Sequence, residues 1–447
     1  MPLLRFETDQ ETPSRPLIAA LQRVRDEFVD SQASDFDDAE ALTPRLPETQ
    51  TFFSMPEQQL LAYERYREAS ELGHVFRIAN HTHDYVDALV VVGSVGDVAG
   101  GEALFRACCD PYHNELDRAA RGSKPRVYFV DDELDNDQLQ SLLNRLAVGG
   151  YGDSAAETGW ALIAAGNASP VHGRPVLQHL LHRNRIAGGE MDSGLKSRLV
   201  TPIGDAGFAA EISKCYPGCG ERLRVSSNLV DGWGVLTPLG LLPSAFLGLD
   251  CIQLLVGAAA VNANFRSEPF ATNLVLHFLA ANGFVGPNGL RSSIEPSRQF
   301  AWWARSLAGL DRWRRTLPRA ERRWDSETAD LATDFARSHV LRQLERGHRT
   351  GGSIICNHVV VDAIRTDPLP IAPAGSVSSL DDSSALPQLH RDQLPAIRRQ
   401  LEAVGVRQNL IRLPVIDTHS LGQLLQLLML AAAIESEVAA GRIGSGV

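Results

Sequence analysis

Apolar residues first recur at helical spacing near the start of the chain. Leu17, Ala20, Leu21, Val24 and Phe28 share one face, which predicts an amphipathic helix. A polar, acidic stretch over residues 30–41 follows, and a second helix is expected near residues 58–79. The pattern then changes. Tyr85-Val-Asp-Ala-Leu-Val-Val-Val-Gly93 ends in five apolar residues, the mark of a parallel strand covered on both faces. Gly93-Ser-Val-Gly96-Asp-Val-Ala-Gly-Gly101 reads as a glycine loop and residues 102–108 as a helix. Strand, glycine loop and helix open an α/β unit. Residues 126–130 repeat the strand pattern, and residues 137–146 form a helix behind the turn residues Asp135 and Asn136. Residues 160–165 are apolar throughout, so periodicity leaves strand and helix both open. Residues 199–202 fit a short strand.

A second half starts near Val225. Leu236-Thr-Pro-Leu-Gly-Leu-Leu-Pro243 leads into an Ala-rich helix over residues 251–265, followed by the apolar run 274–281. Residues 353–361 read as a strand, and residues 372–387, rich in Ser, Pro, Gly and Asp, as a loop. A helix at 392–403, a strand at 410–414 and a helix at 420–440 close the chain, and no short-period repeat is present. The longest apolar stretch, residues 421–433, is interrupted by Gln423 and Gln426. It is too short to span a bilayer and predicts a buried helix. The first thirty residues carry acids and lack the apolar core of a signal peptide, so a cytoplasmic protein with no membrane partner is expected.

Composition narrows the function classes. A length of 447 residues suggests two or three domains. The 43 basic and 54 acidic residues leave a net charge of −11, which argues against nucleic acid as a partner because phosphate neutralisation needs concentrated Lys and Arg. A small anion needs only one local cradle and stays open. Only three of the cations are lysines, Lys124, Lys196 and Lys214. The six cysteines show no paired C-x-x-C spacing, and Cys215 with Cys219 is at most half a metal site. Reduced thiols, no metal and no cofactor are the expectation.

Several segments have chemistry to offer. Gly93 and Gly96 follow a buried strand, where backbone N–H groups and a helix N-terminus can face an anion. Their spacing is neither the dinucleotide fingerprint nor a P-loop, and Asp97 would repel phosphate. A tight turn without a ligand fits equally well. Gly149-Gly-Tyr-Gly-Asp-Ser-Ala-Ala-Glu-Thr158 offers Ser154 to an anion and Glu157 and Thr158 to a polyol. Its simpler reading is a turn with an N-cap at Asp153 or Ser154. His339, Glu345 and His348 supply acid–base groups in an arginine-rich helical stretch that also suits a solvated face. His179 and His182 lie three apart, with no nearby carboxylate to complete a metal triad. Trp302, Trp303 and Trp313 with the arginines at 305, 312, 314 and 315 could stack bases or bind an anion, but a packed amphipathic helix with an Arg-rich outer face is the commoner arrangement.

Taken together, several blocks resemble the phosphoglucose isomerase (glucose-6-phosphate isomerase) family. They are Val90-Val-Val-Gly-Ser-Val-Gly96, Ala103-Leu-Phe, Pro111-Tyr-His-Asn-Glu-Leu116, Val127-Tyr-Phe with Asp135-Asn-Asp, and Val235-Leu-Thr-Pro-Leu-Gly-Leu-Leu-Pro243 with Leu249-Asp250. Arg365-Thr-Asp-Pro-Leu369 and Leu413-Pro-Val-Ile-Asp-Thr-His-Ser-Leu-Gly-Gln423 complete them, in family order over roughly residues 55–435. The resemblance implies an α/β fold of two sugar-isomerase (SIS) domains, each a mostly parallel sheet flanked by helices, with an N-terminal helical extension. The expected partition is 1–84 as a helical segment packing on the second domain, 85–224 as the first SIS-like domain and 225–447 as the second. The resemblance also implies a homodimer and a sugar phosphate or other small ligand, bound between the domains.

The family's functional residues are poorly matched. Its glycine loop, G-I-G-G-S, becomes Gly93-Ser-Val-Gly-Asp97, with an acid on the serine. Its phosphate loop, similar to S-K-S-G-G-T-x-E-T, keeps only Glu157 and Thr158. Its G-G-R-F/Y-S before the Leu-Thr-Pro turn becomes Asp231-Gly232-Trp-Gly234, so the arginine is gone. The base glutamate finds no counterpart, since no Glu occurs between residues 296 and 320. The ring-opening histidine is matched at most by the displaced His339, and the family's C-terminal lysine has no match. The expectation is a catalytically degenerate family member with a scaffold, regulatory or altered binding role. Its remnant cleft would comprise Gly93, Gly96, Ser154, Glu157, Thr158 and Gly232. The alternative is an active aldose–ketose isomerase that uses His339 and Glu345. A sugar-phosphate sensor is disfavoured by the negative charge of Asp97 and Asp153.

Overall fold

The computed structural model describes residues 2–32, 42–45, 51–83, 85–131, 134–147, 159–166, 174–187, 199–226, 229, 231–282, 299–302, 312–313, 317, 326–329, 355–367, 369–371, 381–403 and 405–442. Strand β1 (Arg5–Thr8) and helix α1 (Arg15–Ser31) precede helices α2 (Met55–Tyr66) and α3 (Glu71–His83). Strands and helices then alternate: β2 (Ala88–Gly93), α4 (Val95–Cys108), β3 (Arg126–Asp131), α5 (Asn136–Ala147), β4 (Trp160–Gly166), α6 (Pro175–Ala187), β5 (Val200–Gly204), α7 (Ala206–Cys215) and β6 (Leu223–Arg224). Helices α8 (Pro238–Phe246), α9 (Cys251–Ser267) and α10 (Leu274–Ala281) follow. Strands β7 (Gln299–Trp302), β8 (Ser326–Ala329), β9 (Ile355–Ala363), β10 (Pro370–Ile371) and β11 (Asp381–Ala385) come next, then α11 (Leu386–Ala403), β12 (Arg407–Val415) and α12 (Thr418–Ala439).

Contacts divide the chain into two compact units, one of residues 32–259 with 312–317, the other of residues 1–31, 260–311 and 318–447. This partition differs from boundaries at 84/85 and 224/225. Residues 32–84 join the first unit because α3 packs on α8 and β6, and only residues 1–31 of the N-terminal segment belong to the second.

In the first unit the sheet order is β3-β2-β4-β5-β6, with every pair parallel. The run 160–165, ambiguous by periodicity, is strand β4. It lies between β2 and β5, and all seven of its residues are buried. Val90, Val92, Val130, Leu162, Leu177, Leu180, Phe208 and Ile212 form one core with it. The single helix expected near 58–79 is broken. Arg67 adopts φ 48° and a 3-10 turn spans Arg67–Ala69. Ser70 Oγ donates to the Arg67 carbonyl (2.6 Å) and accepts the Gly73 N–H (3.0 Å). A Cβ on Gly73 would lie 2.1 Å from that carbonyl, so only glycine permits this re-entry into helix.

At the N-terminal edge of this sheet, Asp87 is buried between two arginines. Arg121 Nη2 donates to Asp87 Oδ1 (2.8 Å) and Arg126 Nη1 to Oδ2. Both guanidiniums also bind main-chain carbonyls, Arg121 Nε that of Lys124 and Arg126 Nε that of Asn114.

In the second unit the sheet order is β1-β12-β9-β7-β8. Its pairs are parallel except for the edge strand β1, which runs antiparallel to β12. That edge strand was not expected from a charged segment that reads as helical, because four residues carry too little pattern to declare a strand. Residues 381–385, expected as loop, pair with β10, and α11 starts at Leu386 rather than at 392. Helix α12 is, among the described residues, the one helix long and apolar enough to cross a membrane, and 72% of that stretch is buried inside the protein. The two glutamines that interrupt it are fully buried, and each makes a hydrogen bond to another part of the chain. Gln423 accepts the Leu4 N–H and donates to the Pro2 carbonyl, and Gln426 donates to Asn262 (2.7 Å).

A polar ladder crosses the same sheet. Asn357 donates to Asn282 (2.8 Å), Asn409 to Asn357 (2.9 Å), and Thr8 to Asn409 (2.6 Å). On the opposite face His358 Nε2 bonds Gln408 Oε1 (2.9 Å), and burial pushes this imidazole down to about 4.

Two outcomes follow from these buried groups. Asp87→Ala strands two buried guanidiniums and should lower urea-unfolding stability by about 3–5 kcal/mol. For His358 the unfolded ring takes a proton below about pH 6.5 while the folded ring resists to about pH 4. The unfolded state therefore binds more protons in that window, and stability falls as pH drops through it, by about 3 kcal/mol for this one group. Urea unfolding at pH 7 and pH 4 should show His358→Gln losing less stability than the parent chain by about that amount.

Candidate functional site

The strand order of the first unit sets where a ligand crevice belongs. From β2 the chain crosses through α4 to β3 on one side, then returns through α5 to β4 on the other. The sheet's switch point thus lies between β2 and β4, and crevices in such sheets open at the carboxyl ends of those strands. Here those ends are Gly93 and Gly166.

The segment expected as a glycine loop is mostly helix. Helix α4 begins at Val95, because Ser94 and Asp97 form a capping box. Ser94 Oγ accepts the Asp97 N–H (3.3 Å), and Asp97 Oδ2 accepts from Ser94 N (3.0 Å) and from Ser94 Oγ (2.8 Å). The helix N-terminus therefore already holds a carboxylate, where its exposed N–H groups and dipole favour negative charge. A Cβ on Gly93 would come within 2.7 Å of Asp97 Cβ and 3.1 Å of Ala165 Cβ, so glycine is what lets the cap sit against the strand ends. Gly96 lies in the first turn of α4 rather than in a loop.

The other strand ends carry charge. At β4, Arg174 is buried, donates to the Ala165 carbonyl (2.8 Å) and lies over the Phe208 ring (5.6 Å). A Cβ on Gly166 would lie 2.6 Å from this guanidinium. At β3, Asp131 and the α4 residue Glu102 are both ion-paired with Arg312, and Glu102 also pairs with Arg106 (2.8 Å). Next to Arg312, Trp313 is fully buried and donates from Nε1 to the Gly232 carbonyl (2.8 Å). A Cβ on Gly100 would lie 2.8 Å from Val235 and 3.3 Å from the Trp313 ring, so α4 needs a bare backbone there. Trp233 stacks on Phe52 with centroids 4.4 Å apart.

Of the residues singled out from sequence, Gly93 and Gly96 stand at the switch point, and Gly232 lies in the turn that packs on α4, where its carbonyl accepts from Trp313. Ser154, Glu157, Thr158, His339 and Glu345 lie outside the described residues, as do Asp153 and His348. Sequence reasoning missed Arg174, Glu102 and Asp131, and read Arg312 as part of an Arg-rich outer face. Asp131 had a readable signal, an acid closing an apolar parallel strand. Arg312 did not, since an outward arginine on an amphipathic helix looks the same in sequence as one seated between two carboxylates.

No family model matches the chain. Over 239 residues it is 26% identical to glucose-6-phosphate isomerase of Listeria monocytogenes, covering 52% of this chain and 50% of that protein. Over 246 residues it is 25% identical to the enzyme of the same name from Symbiobacterium thermophilum, covering 54% and 52%. The chain thus spans about half the length of the curated relatives it matches. Its fold is shared more widely. A glucose-6-phosphate isomerase structure from Chlamydia trachomatis superposes with a TM-score of 0.65 at 12% identity, covering 98% of this chain and 84% of that one. A hypothetical protein from Thermus thermophilus gives 0.63 at 18% identity, covering 98% and 94%.

The chain is similar in sequence to glucose-6-phosphate isomerases over about half its length and shares the SIS fold of such a structure. Against that resemblance, Asp97 stands on the family's serine and caps its own helix, and Trp233, in the stretch that lacks the family's arginine, is stacked on Phe52. Asp97→Ala removes the N3 half of the capping box and should cost about 1 kcal/mol in urea unfolding.

Proposed function

We propose that this chain binds a small sugar-type ligand through its SIS fold and does not carry out the aldose–ketose isomerisation for which its relatives are named. The observation that carries this reading is the α4 capping box, in which Asp97 puts a carboxylate at the helix N-terminus facing the switch point. A phosphate arriving there meets like charge and N–H groups already engaged. Two further features support the reading. Asp231-Gly-Trp-Gly234, the stretch matched to the family's G-G-R-F/Y-S, carries no arginine, and the segment matched to the base carries no glutamate. Moving a proton between adjacent sugar carbons requires a positioned base, and losing one forfeits about 10²–10⁴-fold in rate. The likeness to glucose-6-phosphate isomerases and the retained core strands support a sugar-type ligand of different recognition chemistry.

The test is direct. Purified protein incubated with fructose 6-phosphate, followed for glucose 6-phosphate, should give no turnover above the uncatalysed background. Turnover at an ordinary enzyme rate, roughly 1 s⁻¹ or faster, would overturn the reading and favour an active site built on His339 and Glu345. In a thermal-shift series, uncharged sugars and amino sugars at millimolar concentration should raise the melting temperature more than sugar phosphates do, because a ligand bound only by the folded state stabilises it. A larger shift with sugar phosphates, or no shift with any sugar, counts against it.

A further inference from the structure

Among the buried side-chain atoms of the first unit without a hydrogen-bond partner is Gln59 Oε1. Gln59 on α2 is 1% exposed, and its Nε2 donates to the Leu236 carbonyl at 2.6 Å. A carbonyl can only accept, so this bond fixes the orientation of the amide. Gln59 Oε1 is then buried with no hydrogen-bond donor from the protein. Native interiors rarely leave such an acceptor unsatisfied, since the group has given up its water without replacement.

Beside it lies a small cavity of about 10 Å³, lined by Gln59, Met55, Glu71, Ser226, Thr237 and Pro238. That volume matches about one water and excludes any larger molecule. The lining also supplies a second acceptor. Glu71 is 3% exposed; its Oε1 accepts the Arg224 N–H (2.9 Å) and its Oε2 accepts from Arg45 (2.9 Å). Each carboxylate oxygen retains a further lone pair. Thr237 is already engaged, donating to the Gly234 carbonyl (2.6 Å) and accepting the Leu239 N–H (3.3 Å).

We infer that this cavity is a built site for a single ordered water, which donates one hydrogen to Gln59 Oε1 and the other to the Glu71 carboxylate. The water joins α2 to α3, and Gln59 joins both to the turn Asp231–Leu236 through Leu236. Gln59 is therefore a positioning residue for the turn that carries Gly232 and Trp233. A metal cation suits the site poorly, because cations of the calcium type take six to eight oxygens and this cavity offers few uncommitted ones. The inference is independent of which ligand, if any, the crevice takes.

A crystal structure of the full chain at high resolution tests it. The expected result is one water within about 3.2 Å of both Gln59 Oε1 and a Glu71 oxygen. An empty cavity, a rotated amide, or a metal ion with several short oxygen contacts would overturn it. Hydrogen exchange gives a second reading in solution. Gln59→Met keeps the side-chain length, removes both the donor and the acceptor, and should speed exchange of the amides over residues 231–241 about tenfold. Strand β2 should be unaffected. Unchanged exchange over 231–241, or an equal acceleration in β2, would show that Gln59 does not position the turn.

Discussion

The first unit depends on how closely α4 can be laid against the end of β2. That approach is possible because Gly93 has no side chain where Asp97 Cβ must sit, and because Ser94 and Asp97 satisfy each other's backbone donors. The helix starts two residues after the strand ends, which leaves no loop to wrap around a ligand. Farther along the same helix, Gly100 lets Val235 and Trp313 come into contact with its backbone. A tight strand-to-helix turn and two bare backbone positions thus fix α4, and through it the turn at residues 231–236.

Charge at the carboxyl end of this sheet is arranged by internal pairing. Asp97 faces its own helix N-terminus, Glu102 and Asp131 share Arg312, and Arg174 is spread over the Phe208 ring and bonded to the Ala165 carbonyl. In a parallel sheet this edge gathers helix N-termini and is where anions are usually received. Here carboxylates of the chain itself meet those groups. The opposite edge uses charge differently. Asp87 with Arg121 and Arg126 forms a buried, fully bonded cluster that ties β2, β3 and the intervening segment together. Such a cluster adds little net stability over an apolar replacement but is costly to break, which makes it a register device rather than a glue.

The second unit solves a related problem with uncharged groups. The Asn282, Asn357, Asn409 and Thr8 ladder runs across paired strands, each amide donating to the next. Asn357 and Asn409 are direct register partners, as are Thr8 and Asn409, so a one-residue slip would leave several buried amides unsatisfied. Gln423 adds the same kind of constraint between α12 and the first residues of the chain.

Much of this was written locally in the chain. The apolar run before Gly93, the helical stripe from Leu17 to Phe28 and the glutamine-interrupted final helix each specify their element, because burial on one face or both follows from residue spacing alone. The family resemblance lay in such core segments, and the acid at Asp97 and the missing arginine in residues 231–234 were legible there too. Tertiary structure decided what spacing cannot express. Residues 160–165 became a strand only because β2 and β5 flank them. The glycine stretch became a helix because Asp97 reaches back to Ser94. Arg312, Trp313 and Gln59 acquired roles through groups 181, 81 and 177 positions away in sequence. Residue patterns report the polarity of an environment, whereas a hydrogen bond or ion pair depends on where two distant backbones are brought together, and only the folded chain fixes that.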